Sequence, residues 1–87
     1  MSYEVKLRRA AQKELDALPE QDYEKVAEAI NTLEDDPRPP RVKKLGETGL
    51  WRIRVGRLRL VYAIDDEARL VTVVRVARRR EDTYRGL

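Results

Sequence analysis

Eighty-seven residues allow one domain with a modest single core. The absence of cysteine and histidine excludes disulfides, Ser-His triads, nearly all zinc sites and the usual general base near neutral pH. Charged residues make up 40% of the chain for a net of only +3, yet they are polarised: residues 1–46 hold nine bases and ten acids, whereas residues 47–87 hold ten bases, all arginine, and six acids.

This polarisation points to a basic face for phosphate or an acidic partner, and equally accommodates solvated strand faces in an arginine-favouring chain. The start MSYEVKLRR lacks an apolar run of signal-peptide length, and no segment could span a bilayer. The expectation is a cytoplasmic protein with no membrane partner.

In chain order, Tyr3, Val5 and Leu7 alternate with polar residues and predict a short first strand. Leu7, Ala11, Leu15 and Leu18 fall at helical spacing, predicting a helix over about residues 9–18. Pro19 ends it and suits the first position of a second helix. That helix sets Tyr23, Val26, Ala27, Ile30 and Leu33 on one face and closes at Asp35-Asp36-Pro37. The stretch DPRPPRVKKLGETG reads as a loop tipped by Lys43 and Lys44.

Three strands follow, over about residues 50–55, 58–64 and 69–77. Gly56-Arg57 suits a two-residue hairpin turn with glycine first, and Asp65-Asp66-Glu67 marks the second turn. The expected fold is therefore α+β. An N-terminal strand and a two-helix hairpin precede a three-stranded antiparallel meander, giving a mostly antiparallel sheet with helices on one face.

The hairpin LWRIRVGRLRLVY carries the sharpest signal. With Gly56-Arg57 as the turn, Trp51, Ile53, Val55, Leu58, Leu60 and Tyr62 share the core face. Arg52, Arg54 and Arg59 share the other, with Arg54 directly across from Arg59 and with Leu50, Val61 and Ala63 beside them. Like charges directly opposite destabilise a sheet. A bound phosphate would offset that cost, and the planar fork of arginine suits phosphate well. The tail VARRREDTYRGL adds Arg78, Arg79, Arg80 and Tyr84, with the tyrosine placed either to stack a base or to cap the core. Strict alternation along the last strand sends Arg78, not Arg79, to the arginine face.

The segments YEVKLRRAAQKELDALP, EDDPRPP, KKLGETGLWRIRVGRLRLVYAID and RVARRREDTYRGL, in this order, resemble the RelE/ParE toxin superfamily of type II toxin–antitoxin systems, nearer its RelE-type messenger-RNA interferases. The resemblance covers essentially the whole chain, as one domain over residues 1–87, and implies a RelE-like fold with a short C-terminal helix. It implies a ribosome-dependent endoribonuclease in which the 2′-hydroxyl attacks the adjacent phosphate, leaving a 2′,3′-cyclic phosphate and a 5′-hydroxyl.

By position, Arg52 and Arg54 match two family lysines, Arg59 the arginine of the RLVY strand, Arg79 the arginine after the last strand and Tyr84 the C-terminal tyrosine. These five are the expected catalytic set, with Arg78, Arg80, Lys43 and Lys44 as further RNA contacts. Arginine stays protonated, so the two lysine-to-arginine changes leave no general base at those positions. The implied partners are a cognate antitoxin, the ribosome and its mRNA, with operator DNA only as a toxin–antitoxin complex. No metal or cofactor is expected. Two alternatives stand beside this reading: a ParE-like poison of DNA gyrase, and an inert member that only binds its antitoxin.

Overall fold

Strands β1 (Glu4–Leu7), β2 (Lys43–Leu45), β3 (Leu50–Val55), β4 (Leu58–Asp65) and β5 (Leu70–Arg78) and helices α1 (Arg9–Asp16) and α2 (Glu20–Asp35) make up the computed structural model, which describes residues 2–78. The strands form one sheet in the order β1-β5-β4-β3-β2. The expected three-stranded antiparallel meander is thus corrected to a five-stranded mixed sheet. β3, β4 and β5 pair antiparallel at its centre, while β1 pairs parallel to β5 and β2 antiparallel to β3. The expected C-terminal helix lies outside the described residues.

Both helices are shaped by proline. α1 ends at Asp16, two residues before the predicted end, because Leu18 precedes Pro19 and residues before proline avoid the helical region. Pro19 caps α2 from just outside rather than starting it, and Glu20 and Asp22 complement the helix dipole in its first turn. Asp36 is extended before Pro37, which ends α2.

Ala11, Leu15, Val26 and Leu33 from the helices pack on Leu58, Leu60, Tyr62, Val71, Val73 and Val76 of the sheet, and all are buried. Burial of this set is the main source of stability. Tyr23, expected on the core face of α2, is instead exposed. It sits in the first turn of the helix. The Tyr62 hydroxyl donates to the Pro37 carbonyl at 2.8 Å, which ties the middle of β4 to the loop leaving α2. Burial of this phenol pushes its pKa above the ordinary tyrosine value.

Two polar devices set the outline of the sheet. The Arg38 guanidinium grips Asp66 with two hydrogen bonds of 3.1 and 2.9 Å, and the Tyr3 hydroxyl donates to the same carboxylate at 2.6 Å. These bonds lower the Asp66 pKa to about 2. They also fasten the α2–β2 loop to the β4–β5 turn. At the other end, pairing of β1 with β5 stops at Leu7 opposite Val73. Beyond it the Glu14 carboxylate of α1 accepts the Val76 N–H at 2.9 Å and the Arg75 Nε–H at 3.2 Å, taking the place of a neighbouring strand. Among the described residues, no helix is long and apolar enough to cross a membrane.

Candidate phosphate-binding face

The hairpin register matches the sequence reading residue for residue. Val55 faces Leu58, Arg54 faces Arg59, Ile53 faces Leu60 and Trp51 faces Tyr62. Gly56 has φ +59°, the left-handed value that the first residue of this turn demands and that glycine adopts without strain. Arg52, Arg54 and Arg59 therefore stand together on the sheet face opposite the helices. Val61 is fully buried opposite Arg52 and gives this face an apolar floor, with Leu50 and Ala63 half-buried next to it.

The three arginines differ in setting. Arg54 is exposed and Arg59 half-buried. Arg52 is 9% exposed and is the buried charged residue of the described chain. Other cations of the chain are paired: Arg75 with Glu14, Arg57 with Asp22 at 3.0 Å, and Arg38 with Asp66.

Pairing of β2 with β3 sorts the two lysines. Lys43 lies opposite Arg52 and so joins the arginine face. Lys44 lies opposite Trp51, and its Nζ sits 5.8 Å from the indole centroid. Arg38 covers the same ring at 4.9 Å. Of the two, Lys43 alone shares the candidate site. Reading this stretch as a loop hid the distinction, because a loop has no faces.

A residue the sequence reading passed over, Arg41, belongs with this group. It lines, together with Lys43, Arg52 and Arg54, a cleft of about 360 Å³. Its position within a proline-rich segment gave no periodic signal. The signal that could have found it is its spacing two residues before Lys43, once Lys43 is known to be in a strand.

The last strand requires a correction. A bulge interrupts the β4–β5 ladder: Val61 faces Arg75 while Tyr62 faces Val73, leaving Val74 as the extra residue. The alternation shifts by one beyond that point. Ala77 faces Arg59, and Arg78 faces Leu58 on the helix-bearing side, contrary to the strict alternation expected from the sequence. Arg79, Arg80 and Tyr84 lie outside the described residues.

The chain thus has an α+β fold of the RelE-like class, with the helices on one face of a mixed sheet and Arg52, Arg54 and Arg59 on the other. Comparison with known proteins gives the family. Residues 5–83 match the model described as the ParE toxin of the type II toxin–antitoxin system parDE, and the chain belongs to that family. It is 30% identical to the provisionally named toxin RelE1 of Methanocaldococcus jannaschii, over 99% of both chains. It is similar to the archaeal RelE–RelB complex from Pyrococcus horikoshii OT3, with a TM-score of 0.83 and 30% identity covering 93% of this chain and 99% of that one. It is also similar to the toxin–antitoxin complex RelBE2 from Mycobacterium tuberculosis, with a TM-score of 0.81 and 32% identity covering 91% and 100%.

Proposed function

We propose that this chain is the toxin of a toxin–antitoxin pair and acts as a ribosome-dependent mRNA endonuclease. The observation that carries the reading is the grouping of Arg54, Arg59 and buried Arg52 on the sheet face opposite the helices. Guanidinium groups gathered on one face suit an anion, and a phosphate undergoing in-line attack supplies the most concentrated charge. The 2′-oxygen attacks phosphorus, the P–O5′ bond breaks, and a 2′,3′-cyclic phosphate and a 5′-hydroxyl result. Arg52, Arg54 and Arg59 neutralise the phosphorane, where losing one preorganised donor costs on the order of 10²–10³ in rate.

Arg79 would stabilise the departing oxygen, and Tyr84 would position the 2′-hydroxyl or stack a base. Since arginine cannot serve as a base at neutral pH, rate enhancement rests on charge neutralisation and on the orientation imposed by the ribosome. The partner in the resting state is an antitoxin. The relatives from Pyrococcus horikoshii and Mycobacterium tuberculosis have structures as complexes with theirs. Leu50, Val61 and Ala63 among the arginines suit an amphipathic acidic segment. Operator DNA would be bound by the pair, chiefly through the antitoxin.

The test is induced expression without antitoxin, wild type against Arg59→Ala, with mRNA 5′ ends mapped. Growth arrest with codon-phased cuts in wild type only supports the proposal. A second reading, poisoning of DNA gyrase, draws on the match to the ParE toxin model. Arrest with intact mRNA and induction of the DNA-damage response would favour it, and unimpeded growth would indicate an inert family member.

A further inference from the structure

We infer that Glu14 is a positioning residue of the ribonuclease site: its carboxylate clamps β5 beyond the bulge and so sets how the end of that strand meets Arg59. This rests on the reading of the arginine face as a ribonuclease site, which it deepens.

Strand support for β5 ends early on one side. Parallel pairing with β1 stops at Leu7 opposite Val73, where the Arg8 N–H donates to the Val73 carbonyl at 3.0 Å. Residues 74–78 have no strand beside them on that edge among the described residues. The bulge at Val74 falls at the same point and reverses which residues turn their backbone outward. Before it, Arg69 and Val73 turn toward β1. After it Val76 turns that way, three residues on rather than two, and its N–H donates to Glu14 at 2.9 Å. The carboxylate thus grips the backbone group that the bulged register, and not a regular one, offers at this edge.

The same carboxylate holds a second point. The Arg75 Nε–H lies 3.2 Å from each of its oxygens, so β5 is held by backbone and side chain together. Glu14 is carried by a packed helix, since Ala11 and Leu15 beside it on α1 are buried in the core. Groups that support a site from a rigid element hold it more closely than groups on a loop.

Just past the clamp, Ala77 faces Arg59 and Arg78 is turned to the helix-bearing side. Burial of Val76 in the core already selects this register. What Glu14 adds is the lateral placement of a strand end that is otherwise held through β4. Ala77 is thereby kept beside Arg59, at the point from which the chain continues to Arg79. A misplacement of about 1 Å in such a support can cost up to about 10² in rate.

The experiment adds the full chain to ribosomes translating a defined mRNA and compares wild type, Glu14→Ala, Glu14→Gln and Ile30→Val. The last is a packing change on α2, away from β5, that lowers stability alone. Thermal melts fix a temperature at which all four are folded, and rates are taken there. Glu14→Ala should lower kcat about tenfold or more and leave KM within about twofold, because the cations that meet RNA are all retained. Glu14→Gln keeps an oxygen to accept the Val76 N–H and should restore kcat to within about threefold. Ile30→Val should match wild type. Amide exchange at Ala77 should quicken about fivefold in Glu14→Ala alone.

Wild-type kcat in Glu14→Ala, an equal loss in Ile30→Val, or no rescue by Glu14→Gln would overturn the proposal. If the wild type cuts nothing, the ribonuclease reading falls and amide exchange decides the clamp. Faster exchange at Ala77 in Glu14→Ala, restored in Glu14→Gln, would keep it as the device that places the end of β5. Equal exchange in all four proteins would reject it as well.

Discussion

Replacing Arg52 by methionine should make the protein more stable and less active. The Arg52 side chain is nine-tenths buried beside fully buried Val61, so methionine can retain the packing of the aliphatic stem. What it removes is a guanidinium without a carboxylate partner among the described residues. Burying a polar group that lacks a compensating bond costs about 1–3 kcal/mol in proteins, and the head group still reaches the cleft, which argues for the lower half of that range. Repulsion from Arg54 and Lys43 adds at most about half a kcal/mol each at roughly 7 Å in water, and less in salt.

The expected gain is therefore about 1–2 kcal/mol, or a Tm higher by roughly 5–15 °C for a domain of this size. Thermal and urea unfolding followed by Trp51 fluorescence measure it. Adding inorganic phosphate should raise the wild-type Tm more than the variant's, because only the wild type gains a binding partner in the folded state. A Tm lower than wild type would refute the reasoning, since it would mean that the buried charge contributes to stability as it stands.

Three further outcomes follow from the polar devices that hold the sheet. The Asp66 carboxyl is held at about 2, below its ordinary 3.8, by Arg38 and Tyr3; its contribution is present above about pH 4 and lost as the pH falls through 2, so Asp66→Asn should flatten the fall of Tm between pH 5 and 2. Glu14→Ala strands the Val76 N–H at a sheet edge and should cost about 1–2 kcal/mol in urea unfolding, with faster hydrogen exchange at Val76. Arg69 holds a φ of +52° in the β4–β5 turn, so Arg69→Gly should raise stability by about 0.5–1 kcal/mol, read as a higher urea midpoint at unchanged m.

What the sequence made legible was local. The hairpin register, and with it the grouping of Arg52, Arg54 and Arg59, follows from one glycine and the alternation on either side. The features that escaped depend on contacts between distant segments. β2 is three residues long and lies in a proline- and glycine-rich stretch, so nothing in its own composition marks it as a strand. Only its pairing separates Lys43 from Lys44 and brings Arg41 to the cleft. The bulge at Val74 turns Arg78 to the helix-bearing side, and β5 is gripped there by Glu14, more than sixty residues earlier. The parallel pairing of β1 with β5 is likewise a property of the whole chain path. Periodicity reports which face a residue takes within an element, but not where a ladder slips or which edge a distant strand joins.

The most direct test of the account is the chemistry of the ends produced when the purified protein is added to ribosomes translating a defined mRNA. The account predicts 5′-hydroxyl and 2′,3′-cyclic phosphate ends at codon-phased positions, with a rate reduced 10²-fold or more by Arg59→Ala. Intact mRNA, or equal cutting by the Arg59→Ala variant, would contradict it.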